Sequence, residues 1–182
     1  RSLLNALNGG FIAPSPGGDA VRNPNTLPTG RNLFGINAEA TPGVRAWDEG
    51  KALAKSTLDR YYRKHGEYPR KVSYTFWAGE FIETEGATLA QALYMLGVAP
   101  VRDGMNRVTD LRLIPSAELG RPRIDVVVQT SGQLRDVAAS RLELLTKAVK
   151  MVAQSENDTC GNYVSEGTVE SERILLEKGF SP

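Results

Sequence analysis

A near-continuous apolar run that leads into a long amphipathic helix constrains the fold more than any other feature. The run is RIDVVVQT, residues 123–130, and such runs are typical of a strand buried on both faces of a sheet. It passes through TSGQ into LRDVAASRLELLTKAVKMVA, where an apolar stripe at helical spacing is formed by Ala138, Leu142, Leu145, Val149 and Val152. The sequence therefore predicts a buried strand followed directly by a long helix.

The same kind of pattern extends upstream. KVSYTFWAG and RVTDLRLIP indicate strands, GVAPV indicates a short strand, and TLAQALYMLG indicates a helix ended by Gly97. The order strand, helix, strand, strand, helix from Lys71 to Ala153 predicts an α/β fold with a mainly parallel sheet and flanking helices. We expect a long ordered loop and an amphipathic helix that stops near Gly66 to precede this unit, and a last helix over VESERILLEKGFSP, capped by Gly179, to follow it.

These patterns divide the chain into three predicted segments. Residues 1–66 form an N-terminal loop and helix, residues 67–155 form a Rossmann-like α/β unit, and residues 156–182 form a C-terminal helix expected to lead into further sequence. The opening RSLLNALNGG is typical of the end of a helix, which suggests a segment of a longer protein.

Composition excludes several classes of function. The 22 basic and 21 acidic side chains give a net charge of +1, so no broad attraction to nucleic acid or anionic membrane is expected. No apolar run approaches the roughly 20 residues of a membrane span. A single cysteine, Cys160, favours a reducing compartment, and we predict a cytoplasmic protein with no nucleic-acid partner and no membrane span.

Nucleotide-binding motifs are absent from the sequence. Gly50-Lys51 resembles the end of a phosphate loop, but the residue five positions before Gly50 is Arg45 instead of glycine. No G-x-G-x-x-G follows a predicted strand. This segment is therefore not expected to bind ATP through either motif.

The turn after the apolar run is a candidate ligand site. Thr130, Ser131 and Gly132 lie where the carboxyl end of a strand meets a helix start, a position whose N–H groups favour anions. Arg135 lies in the first turn of the same helix. The alternative interpretation is that Ser131 simply caps the helix and Arg135 pairs with a surface carboxylate.

Charged clusters elsewhere allow two interpretations each. Arg121 and Arg123 either recognise a carboxylate or are solvated side chains at a rigid strand entry. Glu80 and two further glutamates follow the strand KVSYTFWAG. In one interpretation they bind a metal or accept protons; in the other they only cap and solvate a helix. Because the chain has one histidine, His65, and one distant cysteine, no structural metal site is predicted.

The stretch GGDAVRNPNTLPTGRN, residues 17–32, is far longer than an ordinary connection. Its glycines permit left-handed turns and its prolines reduce the entropy lost on ordering. Its side chains offer many hydrogen-bond donors, namely those of Arg22, Asn23, Asn25, Thr29, Arg31 and Asn32. It is either an ordered structural loop or a binding loop.

Five stretches, taken together, resemble one family. They are GGFIAPSPGGDAVRNPNTLPTGRN, TPGVRAWDEG, HGEYPRKVSYTFWAGE, LAQALYMLGVAPVRD and ELGRPRIDVVVQTSGQLRD. In this order they resemble the large, tetrapyrrole-binding subunit of cobaltochelatase and magnesium chelatase, over roughly residues 8–153. Ser15, Ala20, Gln133 and Leu134 depart from the family pattern, which leaves the fine specificity for a ligand open.

The resemblance implies a part in inserting a divalent metal, cobalt or magnesium, into a tetrapyrrole, with ATP hydrolysed by separate AAA+ subunits. It implies no cofactor in this segment. On it we base the candidate substrate-binding residues Arg22, Asn23, Thr29, Arg31, Trp77, Ser131 and Arg135, and Glu80 as the candidate proton acceptor. A core position for Trp77, a scaffold that docks the AAA+ subunits, and a relative that removes metal from another tetrapyrrole such as haem are the alternatives.

Overall fold

The described residues form seven α-helices and six short strands in a mixed order. A computed structural model describes residues 2–18, 20–21, 24–31, 33–156 and 158–180. The helices are α1 Ser2–Leu7, α2 Val44–His65, α3 Ala78–Thr84, α4 Ala87–Leu96, α5 Ser116–Leu119, α6 Gly132–Ala153 and α7 Tyr163–Glu177. The strands are β1 Ser15–Pro16, β2 Leu33–Phe34, β3 Lys71–Phe76, β4 Val98–Arg102, β5 Val108–Leu113 and β6 Asp125–Thr130.

The strands pair in twos. β3 and β6 run parallel, with Lys71 opposite Asp125 and Phe76 opposite Thr130. β4 and β5 form an antiparallel hairpin, because the short turn closed by the Asp103 N–H and the Arg107 carbonyl (3.0 Å) leaves no room for a crossover. β1 and β2 form a two-residue parallel pair within the opening loop. The predicted α/β class is confirmed, with parallel strands in two of the three pairs that the structure describes.

Helix α4 occupies the centre of the fold. Eight of its residues are buried: Ala87, Leu89, Ala90, Ala92, Leu93, Tyr94, Met95 and Leu96. It packs against α2 on one side and against the β3–β6 pair on the other. This all-round burial explains why its sequence is apolar on every face, whereas α2 and α6 carry a single apolar stripe.

Gly50 allows α2 to approach α4 closely. A Cβ built on Gly50 would lie 2.6 Å from the Ala90 Cβ and 2.7 Å from the Ala87 carbonyl oxygen. Neither atom belongs to a flexible side chain that can move aside, so the helix separation depends on the missing methyl group.

Replacing Gly50 by alanine is expected to destabilise the chain by about 1–2 kcal/mol, although alanine is the better helix former by about 1 kcal/mol. The clash with main-chain atoms exceeds that gain. Gly167→Ala in α7 is the matched control, since its Cβ would meet only the Asp125 Oδ2 at 3.5 Å. That variant is expected to gain about 0.5–1 kcal/mol. Urea unfolding of both variants measures the effect, and a stabilised Gly50→Ala protein would contradict the packing.

Two buried arginines complete the carboxyl end of α4. Arg121 donates hydrogen bonds to the carbonyls of Tyr94 and Met95 and stacks 4.8 Å from the Tyr94 ring centre. Arg123 donates to the carbonyls of Leu96 (3.4 Å) and Gly97 (2.7 Å). The last carbonyls of a helix lack the N–H partners that a following turn would supply. Here the two guanidinium groups bond to them alongside the Gly97 and Ile124 N–H groups, which donate to the Tyr94 and Met95 carbonyls at 2.9 and 3.0 Å.

The expectation of solvated side chains at Arg121 and Arg123 is therefore wrong. They are only 6% and 2% exposed, and burial lowers the pKa of Arg121 from its usual value. Neither side chain is free to recognise a ligand carboxylate, because the helix end and, for Arg123, the Asp158 carboxylate at 2.6 Å already occupy them.

Other sequence expectations need smaller corrections. The strand KVSYTFWAG ends at Phe76, and its last residues begin α3, a helix that the sequence did not reveal. Helix α2 begins at Val44 after Gly43, and α7 begins at Tyr163, earlier than the stretch VESERILLEKGFSP suggested. Strand β6 is not buried on both faces, since Val127 is 48% exposed.

Candidate functional site

The carboxyl ends of β3 and β6 form one edge at which several predicted site residues meet. The Ser131 N–H donates to the Phe76 carbonyl (3.1 Å), so the residues that follow the two strands lie side by side. Ser131 also caps α6, its Oγ accepting from the Leu134 N–H at 3.2 Å. The structure thus brings Trp77 and Ser131 together at the edge where open α/β sheets hold their ligands.

Trp77 is exposed at this edge. It precedes the first residue of α3 and is 61% exposed, while its neighbours Phe76 and Ala78 are 0% and 3% exposed. The expectation of a core tryptophan is therefore wrong. The change from strand to helix at this residue turns the indole away from the core, and a large flat apolar surface is left open to a ligand.

Arg135 lies one turn into α6 and is available for binding. Its side chain is 70% exposed, and its Nε lies 3.7 Å from the equally exposed Asp136 carboxylate. An exposed pair at this distance contributes little, so an anionic ligand can compete for the guanidinium.

The opening loop packs against the carboxyl-terminal part of α3, the helix that begins just after Trp77. The Gly18 backbone approaches so closely that an added Cβ would lie 3.1 Å from the Glu83 Cα. A cleft of about 110 Å³ separates loop from helix, lined by Pro16, Gly35, Ile36, Asn37, Ala40, Thr41, Gly43, Phe81, Ile82 and Glu85. Thr29 and Arg31 are exposed on this loop. Arg22 and Asn23 lie outside the described residues, so their roles stay predictions.

Two arginines that the sequence did not single out hold the end of this loop. Arg141 of α6 donates to the Thr41 carbonyl at 3.0 Å, and Arg102 of β4 donates to the Pro42 carbonyl at 2.5 Å. Burial lowers the pKa of both guanidinium groups from the usual value. From the sequence, these two arginines could only be placed within predicted elements. Their partners could not be predicted, because the contacts join residues about 60 and 100 positions apart.

Glu80 lies in α3 and faces the start of α4. Its Oε1 accepts from the Thr84 hydroxyl (2.7 Å) and from the Thr88 N–H (3.2 Å). These are the contacts of a carboxylate that caps a helix N-terminus. The other oxygen, Oε2, is buried and has no hydrogen-bond partner among the described residues.

No group of three or more histidine, cysteine, aspartate or glutamate side chains that could hold a metal ion occurs in the described part of the chain. His65 stacks on Tyr61 with ring centres 4.3 Å apart at the end of α2, and Cys160 is exposed and unbridged. Among the same residues, no helix is both long and apolar enough to cross a membrane.

The fold and this edge define an α/β unit with exposed side chains just beyond the carboxyl ends of its parallel strands, the position at which open α/β sheets hold ligands. Comparison with known proteins gives the family. The model described as CobN/Magnesium Chelatase matches residues 1–181, and the chain belongs to that family.

Two curated relatives and one solved structure illustrate the similarity. The magnesium-chelatase subunit ChlH, chloroplastic, of Oryza sativa subsp. indica is 41% identical over 175 residues, covering 96% of this chain and 13% of that protein. The aerobic cobaltochelatase subunit CobN of Sinorhizobium sp. is 37% identical over 177 residues, covering 96% and 14%. The catalytic subunit of cobaltochelatase from Mycobacterium tuberculosis superposes with a TM-score of 0.81 at 41% identity, over 97% of this chain and 15% of that one. The chain thus spans about one seventh of their lengths.

Proposed function

We propose that this chain is a segment of the large subunit of an ATP-dependent metal chelatase, and that it contacts the tetrapyrrole into which the enzyme inserts a divalent metal. One observation carries the proposal: in a member of this family, Trp77 stands exposed at the carboxyl edge of the parallel strands, beside the capped start of α6. The relatives are named for magnesium and for cobalt, so either metal is a candidate substrate.

The reaction sets clear requirements. A divalent cation replaces the two pyrrole N–H protons, and two protons leave the ring. The site must hold the macrocycle flat, fix its acidic side groups and accept protons near neutral pH. The indole of Trp77 offers the flat apolar face, and the exposed guanidinium groups of Arg31 and Arg135 offer charge-assisted bonds to carboxylates.

The remaining predicted residues complete the proposal. Arg22, Asn23 and Thr29 of the opening loop and the Ser131 hydroxyl would add hydrogen bonds to the ring substituents. Glu80 is the candidate proton acceptor; its Oε1 is engaged with Thr84 and Thr88, and its Oε2 is buried without a hydrogen-bond partner among the described residues. We further propose that the segment holds no resident cofactor, that separate AAA+ subunits hydrolyse ATP, and that the enzyme is cytoplasmic.

Replacing Trp77 by alanine in the full-length subunit is expected to weaken tetrapyrrole binding at least tenfold, which corresponds to about 1.4 kcal/mol of lost apolar and stacking contact. Arg135→Ala is expected to lower the affinity for the tetrapyrrole roughly threefold to tenfold, because the bond between the exposed Arg135 guanidinium and a ligand carboxylate is partly solvated. Absorbance titration with a free-base porphyrin and with a corrin precursor measures both.

The matched control is Phe180→Ala, since Phe180 is 61% exposed like Trp77 but follows α7. The Phe180→Ala protein should bind the tetrapyrrole with the same affinity as the unchanged protein. If the Trp77→Ala protein also binds it with unchanged affinity, the binding site does not lie at this edge. If the segment instead captures AAA+ subunits and binds no tetrapyrrole, the scaffold alternative is favoured.

A further inference from the structure

Strand β6 has the sequence of an interior strand but the surroundings of an edge strand. Three consecutive valines, Val126 to Val128, stand at its centre, and β3 is its one partner within the described ranges. Val127 is 48% exposed. Near-continuous valine runs are typical of parallel strands covered on both faces and paired on both sides.

The hydrogen bonds show which backbone groups face outward. The N–H groups of Asp125 and Ser131 donate to the Arg70 and Phe76 carbonyls of the β3 side, each at 3.1 Å. Because N–H groups alternate along a strand, those of Val126, Val128 and Thr130 point away from β3. The Asp125 Oδ1 accepts from Val126 at 2.8 Å.

The N–H groups of Val128 and Thr130 remain without an acceptor among the residues that the structure describes. Unpaired N–H and C=O groups along a strand edge form a template for another strand, and main-chain bonds supply the affinity.

Strand β3 differs from β6 in its sequence pattern. Its exposed side chains, Lys71, Ser73 and Thr75, alternate with less exposed ones and so share one face, and Lys71 forms an ion pair with Asp125 of β6 at 2.8 Å. Such alternation is typical of a strand with one solvated face, whereas the valine run of β6 is typical of an interior strand. The contrast favours β6 as the side on which the sheet continues.

We propose that the free edge of β6 pairs with an extended segment of the same polypeptide that lies outside residues 1–182. The length of the relatives supports this occupant, because this chain accounts for only 13–15% of them. A segment of the same polypeptide is also present at high local concentration, which favours it over a second copy or a separate partner. The inference rests on the assignment to a longer subunit and is independent of tetrapyrrole binding.

Hydrogen exchange of the full-length subunit, read by mass spectrometry with residue-level fragmentation, tests the proposal without any substitution. The Val128 and Thr130 amides are expected to exchange within tenfold of the rates of Val127 and Gln129, which are bonded to β3. The outward Ser73 amide of β3 is the internal control and should exchange faster than any of these.

Exchange at Val128 and Thr130 more than tenfold faster than at Val127 and Gln129 would overturn the proposal. Measurement at about 0.5 and 20 µM separates the alternatives. Equal protection at both concentrations supports a strand from the same polypeptide. Protection that rises with concentration, or that requires added partner subunits, would overturn it and assign the edge to a second copy or to another protein. A failed porphyrin titration would leave this result unaffected.

Discussion

Replacing Arg123 by alanine is expected to lower the free energy of unfolding by about 3–5 kcal/mol, because removal of one partner leaves a buried charge uncompensated. The Arg123 and Asp158 side chains are 3% and 6% exposed, and their atoms lie 2.6 Å apart. The same guanidinium donates to carbonyls at the end of α4 and to the Ile114 carbonyl at 2.9 Å. Urea unfolding followed by circular dichroism measures the loss.

Arg112→Ala is the matched control for Arg123→Ala. Arg112 lies in β5 and is exposed, so its removal should change stability by less than about 0.5 kcal/mol. The double variant with Asp158→Ala is expected to lose less than the sum of the two single variants, since the second change removes the unpaired charge. If the double variant instead loses as much unfolding free energy as the two single variants together, the Arg123 and Asp158 side chains do not interact energetically.

Replacing Phe81 by alanine is expected to cost about 3–5 kcal/mol and to loosen the opening loop. Phe81 is 1% exposed, its ring centre lies 5.3 Å from that of Phe76, and it lines the cleft beneath the loop. A cavity at this point removes the support of a helix of only seven residues. Unfolding experiments measure the first effect, and amide exchange over residues 35–43 measures the second.

Phe11→Ala controls for the loss of an aromatic ring, because Phe11 is 83% exposed. Its stability should stay within about 0.5 kcal/mol of the unchanged chain. If Phe81→Ala destabilises the chain while exchange over residues 35–43 stays unchanged, the loop does not depend on α3, and the cleft is not a supported site. The Trp77 edge would then have to bind its ligand without this loop.

The local patterns predicted most elements because those elements follow local rules. The helix α4 ends where Gly97 adopts a left-handed conformation with φ of 72°, as the TLAQALYMLG pattern indicated. Similarly, Ser131 was predicted from its position between a strand and a helix, and it caps α6. Helix α3 was missed, since seven residues containing glycine and three polar side chains give no clear periodicity.

The candidate site was predictable only in part. The position of Trp77 near the end of a predicted strand suggested contact with a macrocycle face, but its exposure depends on the direction in which α3 leaves β3. The apolar pattern that correctly marked β6 as a strand did not reveal that one of its edges has no partner strand among the described residues. Glu80 was selected for its charge, whereas its contacts with Thr84 and Thr88 depend on the angle between α3 and α4.

The α/β class, the long helices and the family could be assigned from the order of amino acids alone, because periodicity, capping residues and motifs lie in neighbouring positions. Which arginines are buried and which are exposed depends on the folded chain. Arg121, Arg123 and Arg141 are enclosed because carbonyls from distant parts of the chain converge on them, while Arg31 and Arg135 face solvent. A guanidinium group has the same composition in both settings, and its role depends on the acceptors that the fold brings to it.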